Sequence, residues 1–430
     1  MGMAAQAELF IAAAGGAEAL LADELKRITG QPAESGRGGA WLMGDLRMAM
    51  QINLHSRLAQ RVLWPLASGP YCDEHDLYAL ARTVDWRVWI TPQHTLRVDV
   101  NANRSPLRSL NFAALRVKDA VCDALREATG ERPSVDTQRP DLPLMLYLGP
   151  DHATLYADTS GEALFKRGWR DARGGREAVK GEAPLKETLA AAMLAAAGWQ
   201  GRPEDGPLLD PCCGAGTIAI EAAQMACGLA PGLQRRFAFE HQLPFEPLEQ
   251  LWTELKRQAR AAVHAPAVAV HASDVSFRMT DFAQRNAERA GVGQAIQFKT
   301  VDALQRLAPE SRGVMLLNPP YGERIEPKGS GVGAATLASS SRSRHEGSDG
   351  KAFKEGREGF EGGASADAFF SGMAAHWKRH YAGWSAWLLS PDLSLPQRMR
   401  LKESARVPMW NGPMECRLFR FDLVAGSNRG

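Results

Sequence analysis

No apolar run in the 430-residue sequence is long enough to cross a membrane, because Glu or Lys interrupts the longest alanine-rich stretches. The start of the chain has an apolar patch without a preceding basic region, which favours a first β-strand over a secretory signal. The six cysteines include no Cys-x-x-Cys pair and have no histidine set beside them. We therefore expect no membrane anchor, no metal site, no disulfide framework and a reducing, cytoplasmic location.

The chain also lacks a strong excess of charge, since its formal net charge at pH 7 is only +2. That total is modest for a protein that binds nucleic acid, so the distribution of charge matters more. Residues 166–180 hold six cationic and two acidic side chains, interrupted by glycines. Such a segment either lies along a phosphate backbone, with Arg167, Arg170 and Arg173 as candidate contacts, or is a solvated linker.

The remaining composition, 45% hydrophobic and 23% charged, is typical of a globular protein with two or three domains. Alternating strand-like and helix-like patterns indicate α/β architecture. They predict a first domain over 1–68, a second over 69–160, a basic linker over 161–182 and a larger domain over 183–424. Within the last, residues 325–365 are of low complexity, and we expect disorder there, as a tolerated loop expansion or a mobile lid.

A glycine-rich turn follows the first predicted strand of the large domain. Leu208-Leu209-Asp210 leads into the turn 212–217, and a helix-forming run comes next. Glycines at 214 and 216 let a ligand approach the backbone with no Cβ in the way. The spacing matches a dinucleotide fingerprint only weakly and excludes a phosphate loop. Cys212 and Cys213 are interpreted as small side chains in a tight turn, not as nucleophiles.

Two further acids follow the next two predicted strands. Asp274 ends the first of them, a position that binds the ribose diol in open parallel sheets. Asp302 ends the second and suits an adenine amino group. Each acid alone is more typical of a helix cap or a surface charge. Their recurrence at successive strand ends favours one shared cofactor site.

The apolar run 314–317 ends abruptly in Asn318-Pro319-Pro320-Tyr321. Two prolines fix the backbone and hold the carbonyl groups at the strand end in place. The Asn318 side chain and the Pro319 carbonyl can then accept two hydrogen bonds from one amino group, and Tyr321 offers a stacking face. Alone, the segment is equally a proline-rich turn. After the acidic strand ends, it indicates a site for a planar base that bears an exocyclic amine.

This order of motifs resembles the class I, Rossmann-like methyltransferases that use S-adenosylmethionine and act on amino groups. Segments 183–192 and 410–416 are similar to bacterial 23S ribosomal RNA guanine-N2 methyltransferases. The first two domains resemble an α+β ferredoxin-like domain and a THUMP RNA-binding domain, with 115–120 as the local match. The resemblance extends over nearly all of the chain except about 325–365.

The resemblance implies that S-adenosylmethionine is bound at the successive strand ends, with the methionine part at the glycine turn, the ribose at Asp274 and the adenine at Asp302. The implied cofactor contacts are Asp210, Cys212, Gly214, Gly216, Thr217, Asp274, Asp302 and Asn318. The implied catalytic residues are Asn318, Pro319, Pro320 and Tyr321. RNA contact is implied for Lys118, for which an ordinary exposed lysine on a packed helix is the alternative.

The resulting hypothesis is methyl transfer to the N2 amine of a guanosine in 23S rRNA, either as free RNA or in a large-subunit assembly intermediate. The alternatives are N2 methylation of tRNA, N6 methylation of DNA adenine, and a non-catalytic role in ribosome assembly. The RNA-type N-terminal half disfavours DNA. The intact motif residues disfavour a non-catalytic role.

Overall fold

The computed structural model describes residues 6–170, 185–319 and 364–424. These ranges form an N-terminal unit that reaches Asp158 and a C-terminal unit that starts at Glu187, each built on one β-sheet with packed helices. None of the helices in these ranges combines the length and the apolar character that a membrane crossing requires.

The N-terminal unit contains twelve helices and strands within the described residues. They are β1 (Ala7–Ala12), α1 (Glu18–Thr29), β2 (Glu34–Gly36), β3 (Gly39–Gly44), α2 (Leu46–His55), β4 (Arg61–Pro70), α3 (Glu74–Arg82), β5 (Thr95–Ala102), α4 (Leu110–Thr129), β6 (Ser134–Val135), β7 (Leu142–Leu148) and β8 (His152–Asp158). The strand order across the sheet is β2-β3-β1-β4-β8-β7-β5-β6.

Local sequence explains where several of these helices begin. The Asp45 side chain accepts a hydrogen bond from the Met48 amide and starts α2. Asp73 and Asp76 form a reciprocal capping box at the start of α3. The Ser109 hydroxyl accepts from the Phe112 amide and starts α4, which ends at Gly130 in a left-handed conformation. Side-chain caps therefore fix helix positions that hydrophobic periodicity alone leaves uncertain.

One continuous sheet runs through both predicted N-terminal domains. Strand β4 pairs antiparallel with β8, from Leu63 opposite Asp158 to Pro70 opposite His152, with one irregularity after Pro65. The predicted boundary between residues 68 and 69 lies inside β4. Backbone hydrogen bonds of a single sheet therefore connect the chain on either side of that boundary.

The C-terminal unit follows the alternating pattern expected of an α/β domain. Its elements in the described residues are α5 (Glu187–Ala196), β9 (Leu208–Asp210), α6 (Thr217–Ala226), α7 (Glu249–Ala261), β10 (Val270–Asp274), α8 (Phe277–Arg289), β11 (Ile296–Thr300), β12 (Gly313–Leu317), α9 (Ala364–His380), β13 (Trp384–Ser390), α10 (Leu395–Met399), β14 (Ala405–Asn411) and β15 (Met414–Leu423). The strand order is β11-β10-β9-β12-β13-β15-β14, and β15 is antiparallel to both of its neighbours.

The central strands of this sheet are apolar because helices cover both of its faces. Leu208 and Leu209 in β9 and Met315, Leu316 and Leu317 in β12 are all fully buried. A strand buried on both faces has no polar side to alternate with, so it reads as an uninterrupted apolar run. This burial explains why both motif strands were recognisable from sequence.

The two units are joined at a buried carboxylate on α6. The Glu221 side chain is inaccessible to solvent. Its Oε1 lies 3.0 Å from Nε of Arg167, and its Oε2 lies 3.4 Å from Nη1 of Arg57. Arg167 also donates a hydrogen bond of 2.7 Å to the Arg57 carbonyl. Both arginines belong to the N-terminal side of the chain, so a largely buried charge cluster connects the two units.

Arg167→Ala is expected to lower the free energy of unfolding by about 3 kcal/mol, because it leaves the buried Glu221 carboxylate incompletely paired. Chemical denaturation followed by tryptophan fluorescence measures the change. The matched control is Lys166→Ala, which removes a surface pair with Glu162 and should leave the midpoint unchanged within error. Equal midpoints for the two variants would show that the buried cluster does not stabilise the junction.

Candidate active site

The predicted site residues lie at the carboxyl edge of the parallel part of the second sheet. Strands β9, β10, β11 and β12 run parallel, and Asp210 and Asp274 are the last residues of β9 and β10. Asp302 lies two residues after the end of β11, and Asn318 directly follows β12. Ligands of open α/β sheets bind beyond this edge, so the four side chains share one functional face.

The glycine-rich turn is bonded directly to the end of β10. The Cys213 amide donates to the Ser273 carbonyl at 2.9 Å, and the Gly214 amide donates to Oδ2 of Asp274 at 3.0 Å. Gly216 has a φ of +88°, and a Cβ there would lie 3.0 Å from the Cβ of Ala283. The turn therefore needs glycine at 216, both for its conformation and for its close approach to α8.

Asp210 is a buried acid, with 1% of its surface exposed. Burial raises the pKa of its carboxyl well above the ordinary range, and the charge on Asp274 raises that pKa further. The Cys212 amide, which donates to Oδ1 at 3.2 Å, opposes the rise. Among the residues that the structure describes, no cationic side chain counters this charge. A positively charged ligand beside Asp210 and Asp274 would stabilise both carboxylates.

Cys212 lies among the acids of the site. Burial raises the pKa of its thiol well above the ordinary value, and Asp210, Asp274 and Asp302 raise it further, in that order. Asp210 and Asp274 end the neighbouring strands β9 and β10, and Asp302 follows β11, which pairs with β10, so the three acids lie at the same edge as the turn. A thiol with a raised pKa stays protonated at neutral pH, which argues against a nucleophilic role.

The asparagine of the proline-rich motif lies beside this acidic edge. Asn318 is half-buried and Pro319 is buried immediately after β12. Pro320, Tyr321 and Arg173 lie outside the described residues, as does the predicted insertion 325–365 except for residues 364 and 365, which begin helix α9. The structure thus brings Asp210, Asp274, Asp302 and Asn318 together at one edge.

The linker arginines require a correction. Arg167, predicted to contact an RNA phosphate, is 3% exposed and pairs with Glu221, so its guanidinium is unavailable to a ligand at the surface. Arg170 is also turned inward, with an 18% exposed side chain. A count of charges along the sequence does not show that an arginine is buried against a carboxylate from a distant segment. Lys118, on α4, retains a partly exposed side chain 2.6 Å from Asp119.

Sequence reasoning missed a contact that reaches the glycine turn. Arg170 donates from Nη2 to the Thr217 hydroxyl at 2.7 Å, and its Nε lies 2.7 Å from Oε1 of Glu187. Burial raises the pKa of Glu187 to about 7, although Arg170 opposes that rise. The sequence signal for this contact was Glu187, an acid at the start of a helix that is otherwise alanine-rich and apolar.

The residues at this edge fit the cationic cofactor that the sequence implies. A Cβ built on Gly214 would meet nothing closer than Met279, at 3.9 Å, so space remains above the turn. The buried Asp210 and the neighbouring Asp274 provide negative charge. The turn and the two acids would hold the methionine and ribose parts of S-adenosylmethionine, whose sulfonium and ammonium groups are both positive.

Comparison with known proteins agrees with this arrangement. Three family models match successive parts of the chain: an RlmL ferredoxin-like domain over 8–63, a THUMP domain over 71–158 and an RMKL-like methyltransferase domain over 173–338. A protein named ribosomal RNA large subunit methyltransferase K/L from Psychromonas ingrahamii is 34% identical over 96% of this chain and 50% of its own length.

A protein of the same name from Shewanella amazonensis is 33% identical over 98% of this chain and 54% of its own. The chain thus spans about half the length of the curated relatives it matches. The crystal structure of SMU.472, solved as a complex with SAH, has a TM-score of 0.79 at 24% identity, and the match covers 99% of this chain and 100% of that one.

The likeness in fold and the observed strand order confirm the predicted α/β methyltransferase architecture behind ferredoxin-like and THUMP units. The family models follow one another in the order expected from the motifs. The chain therefore carries, in succession, an RlmL-type ferredoxin-like domain, a THUMP domain and an RMKL-like methyltransferase domain.

Proposed function

We propose that this chain transfers a methyl group from S-adenosylmethionine to the exocyclic N2 amine of a guanosine in 23S rRNA. The observation that carries the proposal is the convergence of Asp210, Asp274, Asp302 and Asn318 around one glycine turn. The relatives named large-subunit rRNA methyltransferases support RNA of the large subunit as the substrate. Action on ribosomal RNA implies a cytoplasmic location.

The cofactor-binding half of the proposal rests on charge and space. Bound at the turn, S-adenosylmethionine would supply an electrophilic methyl group on a positively charged sulfur. Asp210, the turn 212–217 and Asp274 contribute the acidic cradle, and Asp302 is available to the adenine amino group. Fixed carboxylates and backbone amides at this edge need little rearrangement when the ligand arrives.

The base-binding half rests on Asn318 and Pro319. The lone pair of a guanine N2 amine is delocalised into the ring, so the amine is a weak nucleophile. The Asn318 side-chain oxygen and the Pro319 carbonyl would accept both amine hydrogens, turning the lone pair toward the methyl donor. Orientation of this kind supplies much of the rate. The methylated amine is acidic and loses its proton readily, so no strong base is needed.

Reaching the amine requires the guanosine to leave its helix or loop. Tyr321 is proposed to stack on the extruded base, which offsets part of the energy lost on unstacking. The THUMP unit, with Lys118 on α4, is proposed to hold the surrounding RNA. Arg57 and Arg167, which pair with Glu221, are proposed to join the N-terminal unit to the catalytic domain, in place of the RNA contacts expected for Arg167 and Arg170.

Transfer of tritium from labelled S-adenosylmethionine should appear in 23S rRNA and not in tRNA or DNA. Nuclease digestion should recover the label as N2-methylguanosine. Heat-denatured protein is the control for carry-over of label. Label in tRNA alone would favour the tRNA alternative, and label in N6-methyladenine would favour the DNA alternative. No transfer to any of the three, with SAH binding intact, would support a non-catalytic role.

Asn318→Ala should lower kcat by about 100-fold or more, because an acceptor that orients the amine is lost. SAH affinity, measured by isothermal titration calorimetry, should stay within about twofold of wild type, since cofactor contacts from Asp210 and Asp274 remain. Asn318→Asp keeps an acceptor oxygen and should recover part of the rate. A kcat near the wild-type value in Asn318→Ala would show that Asn318 does not orient the amine.

Asp274→Ala should weaken SAH binding by about 10- to 100-fold, because charged hydrogen bonds are each worth about 1.5–3 kcal/mol. The same change also removes the hydrogen bond that the Gly214 amide donates to the Asp274 carboxylate. Asp281→Ala on α8 removes a surface pair with Arg285 and serves as the matched control. Unchanged SAH affinity in Asp274→Ala would place the cofactor elsewhere.

A further inference from the structure

A polar cavity of about 240 Å³ lies where the N-terminal unit meets the methyltransferase domain. Its walls come from four separate segments: the loop after β1, the residue before β4, the start of α5 and the turn between β14 and β15. The side chains that give the cavity its chemistry are Gln60, Lys186, Thr188 and Trp410.

The walls of this cavity are held by close backbone packing. A Cβ on Gly15 would lie 3.1 Å from the indole ring of Trp410, and one on Gly16 would lie 2.2 Å from the Pro408 carbonyl oxygen. The β1–α1 loop therefore lies directly against β14 with no room for a side chain between them. Contacts this close fix the separation of the two units around the cavity.

The cavity is on the same edge of the second sheet as the active site. Helix α5 is followed by β9, which ends at Asp210, so the start of α5 lies at the carboxyl edge of the sheet. In the antiparallel pair β13–β15, Arg417 is opposite Ser390 at the end of β13, so the β14–β15 turn lies beyond that edge too. Arg170, which contacts both Glu187 and Thr217, connects the start of α5 to the glycine turn.

The groups around the cavity favour an anion. Lys186 is exposed at the N-cap of the ten-residue helix α5, and its own side chain makes no capping hydrogen bond. The helix dipole makes such an end electropositive. The adjacent acid, Glu187, is already paired with Arg170. The region next to Lys186 thus retains a positive charge.

Thr188 provides an independent indication of a ligand. Its side chain lines the cavity and is 1% exposed, yet its hydroxyl has no hydrogen-bond partner among the residues that the structure describes. A buried hydroxyl without a partner destabilises the folded protein, so such groups are normally satisfied. An oxygen of a bound anion would satisfy it.

We propose that this cavity binds a backbone phosphate of the substrate RNA, through Lys186, the Thr188 hydroxyl and the start of α5. The inference deepens the proposed function and rests on it. A volume of about 240 Å³ is below the range of about 300–1,000 Å³ typical of sites for whole small molecules, which suits a phosphate and its sugar. A phosphate held here would set the path of the strand beside the catalytic edge.

The salt dependence of RNA binding tests the site. For wild type and Lys186→Ala, the dissociation constant for 23S rRNA transcript is measured by filter binding at several salt concentrations. Losing one phosphate contact should lower the magnitude of the log K against log [salt] slope by about 0.7–0.9 and weaken binding about 5- to 10-fold. Lys186→Arg should restore the slope. An unchanged slope in Lys186→Ala would overturn the proposal.

The matched control is Lys378→Ala, which alters an exposed lysine near the end of α9, at the opposite edge of the sheet. Its slope should equal that of wild type, and an equal drop in both alanine variants would mean a nonspecific charge effect and overturn the site.

Inorganic phosphate and guanosine monophosphate are titrated separately into the complex of wild-type protein and RNA. Millimolar concentrations of either should not displace the RNA. Displacement by either would assign the cavity to a free anion.

Thr188→Val separates ligand binding from a structural role. Removing an unsatisfied hydroxyl should leave the melting temperature unchanged or raised, while RNA affinity falls about 3- to 10-fold. A lower melting temperature with normal RNA affinity would mean that the hydroxyl is bonded within the protein, against the proposal. SAH affinity should be unchanged in every variant of this site.

The two proposals fail in different ways. If wild type methylates 23S rRNA and Lys186→Ala keeps the wild-type salt slope, only the phosphate site is wrong. If the slope changes as expected but no methyl group enters any nucleic acid, the site stands as an RNA contact and the proposed reaction is wrong.

Discussion

The structure depends on one carboxylate, Glu221, which is buried in α6 and paired with arginines from the other half of the chain. Two charges taken out of water are tolerated only when their geometry is good and further hydrogen bonds satisfy them. Arg167 meets that condition through the carbonyls of Leu164 and Arg57. Helix α6 also begins at the glycine turn, so the element that joins the units is the one that positions the cofactor site.

A similar buried contact lies at the start of helix α5. Arg170 connects Glu187, at the start of α5, with Thr217, at the start of α6. Both helix starts lie at the carboxyl edge, where the acids of three strands and Asn318 also lie. In the described part of the predicted linker, Arg167 and Arg170 thus belong to the internal framework of the site and have little contact with solvent.

Much of this was predictable from sequence where local chemistry determines structure. Apolar runs ending in Asp210, Asp274 and Asn318 predicted parallel strands, because a strand covered on both faces has no polar alternation. The roles of the linker arginines were not predictable. Arg167 and Glu221 are 54 residues apart in the sequence. A run of basic residues does not indicate which of them will be buried through pairing with a carboxylate on a later, apolar helix. The cavity beside Lys186 was hidden for the same reason, since four distant segments form it.

The pairing of β4 with β8 extends one sheet from the ferredoxin-like domain into the THUMP domain. Seven paired positions of backbone hold these two domains in one sheet, so backbone hydrogen bonds set their relative placement. A molecule that touches both must therefore present its contact points at one fixed separation. Under the proposed function, that fixed separation would select an RNA by its overall shape, independently of the identity of any single base.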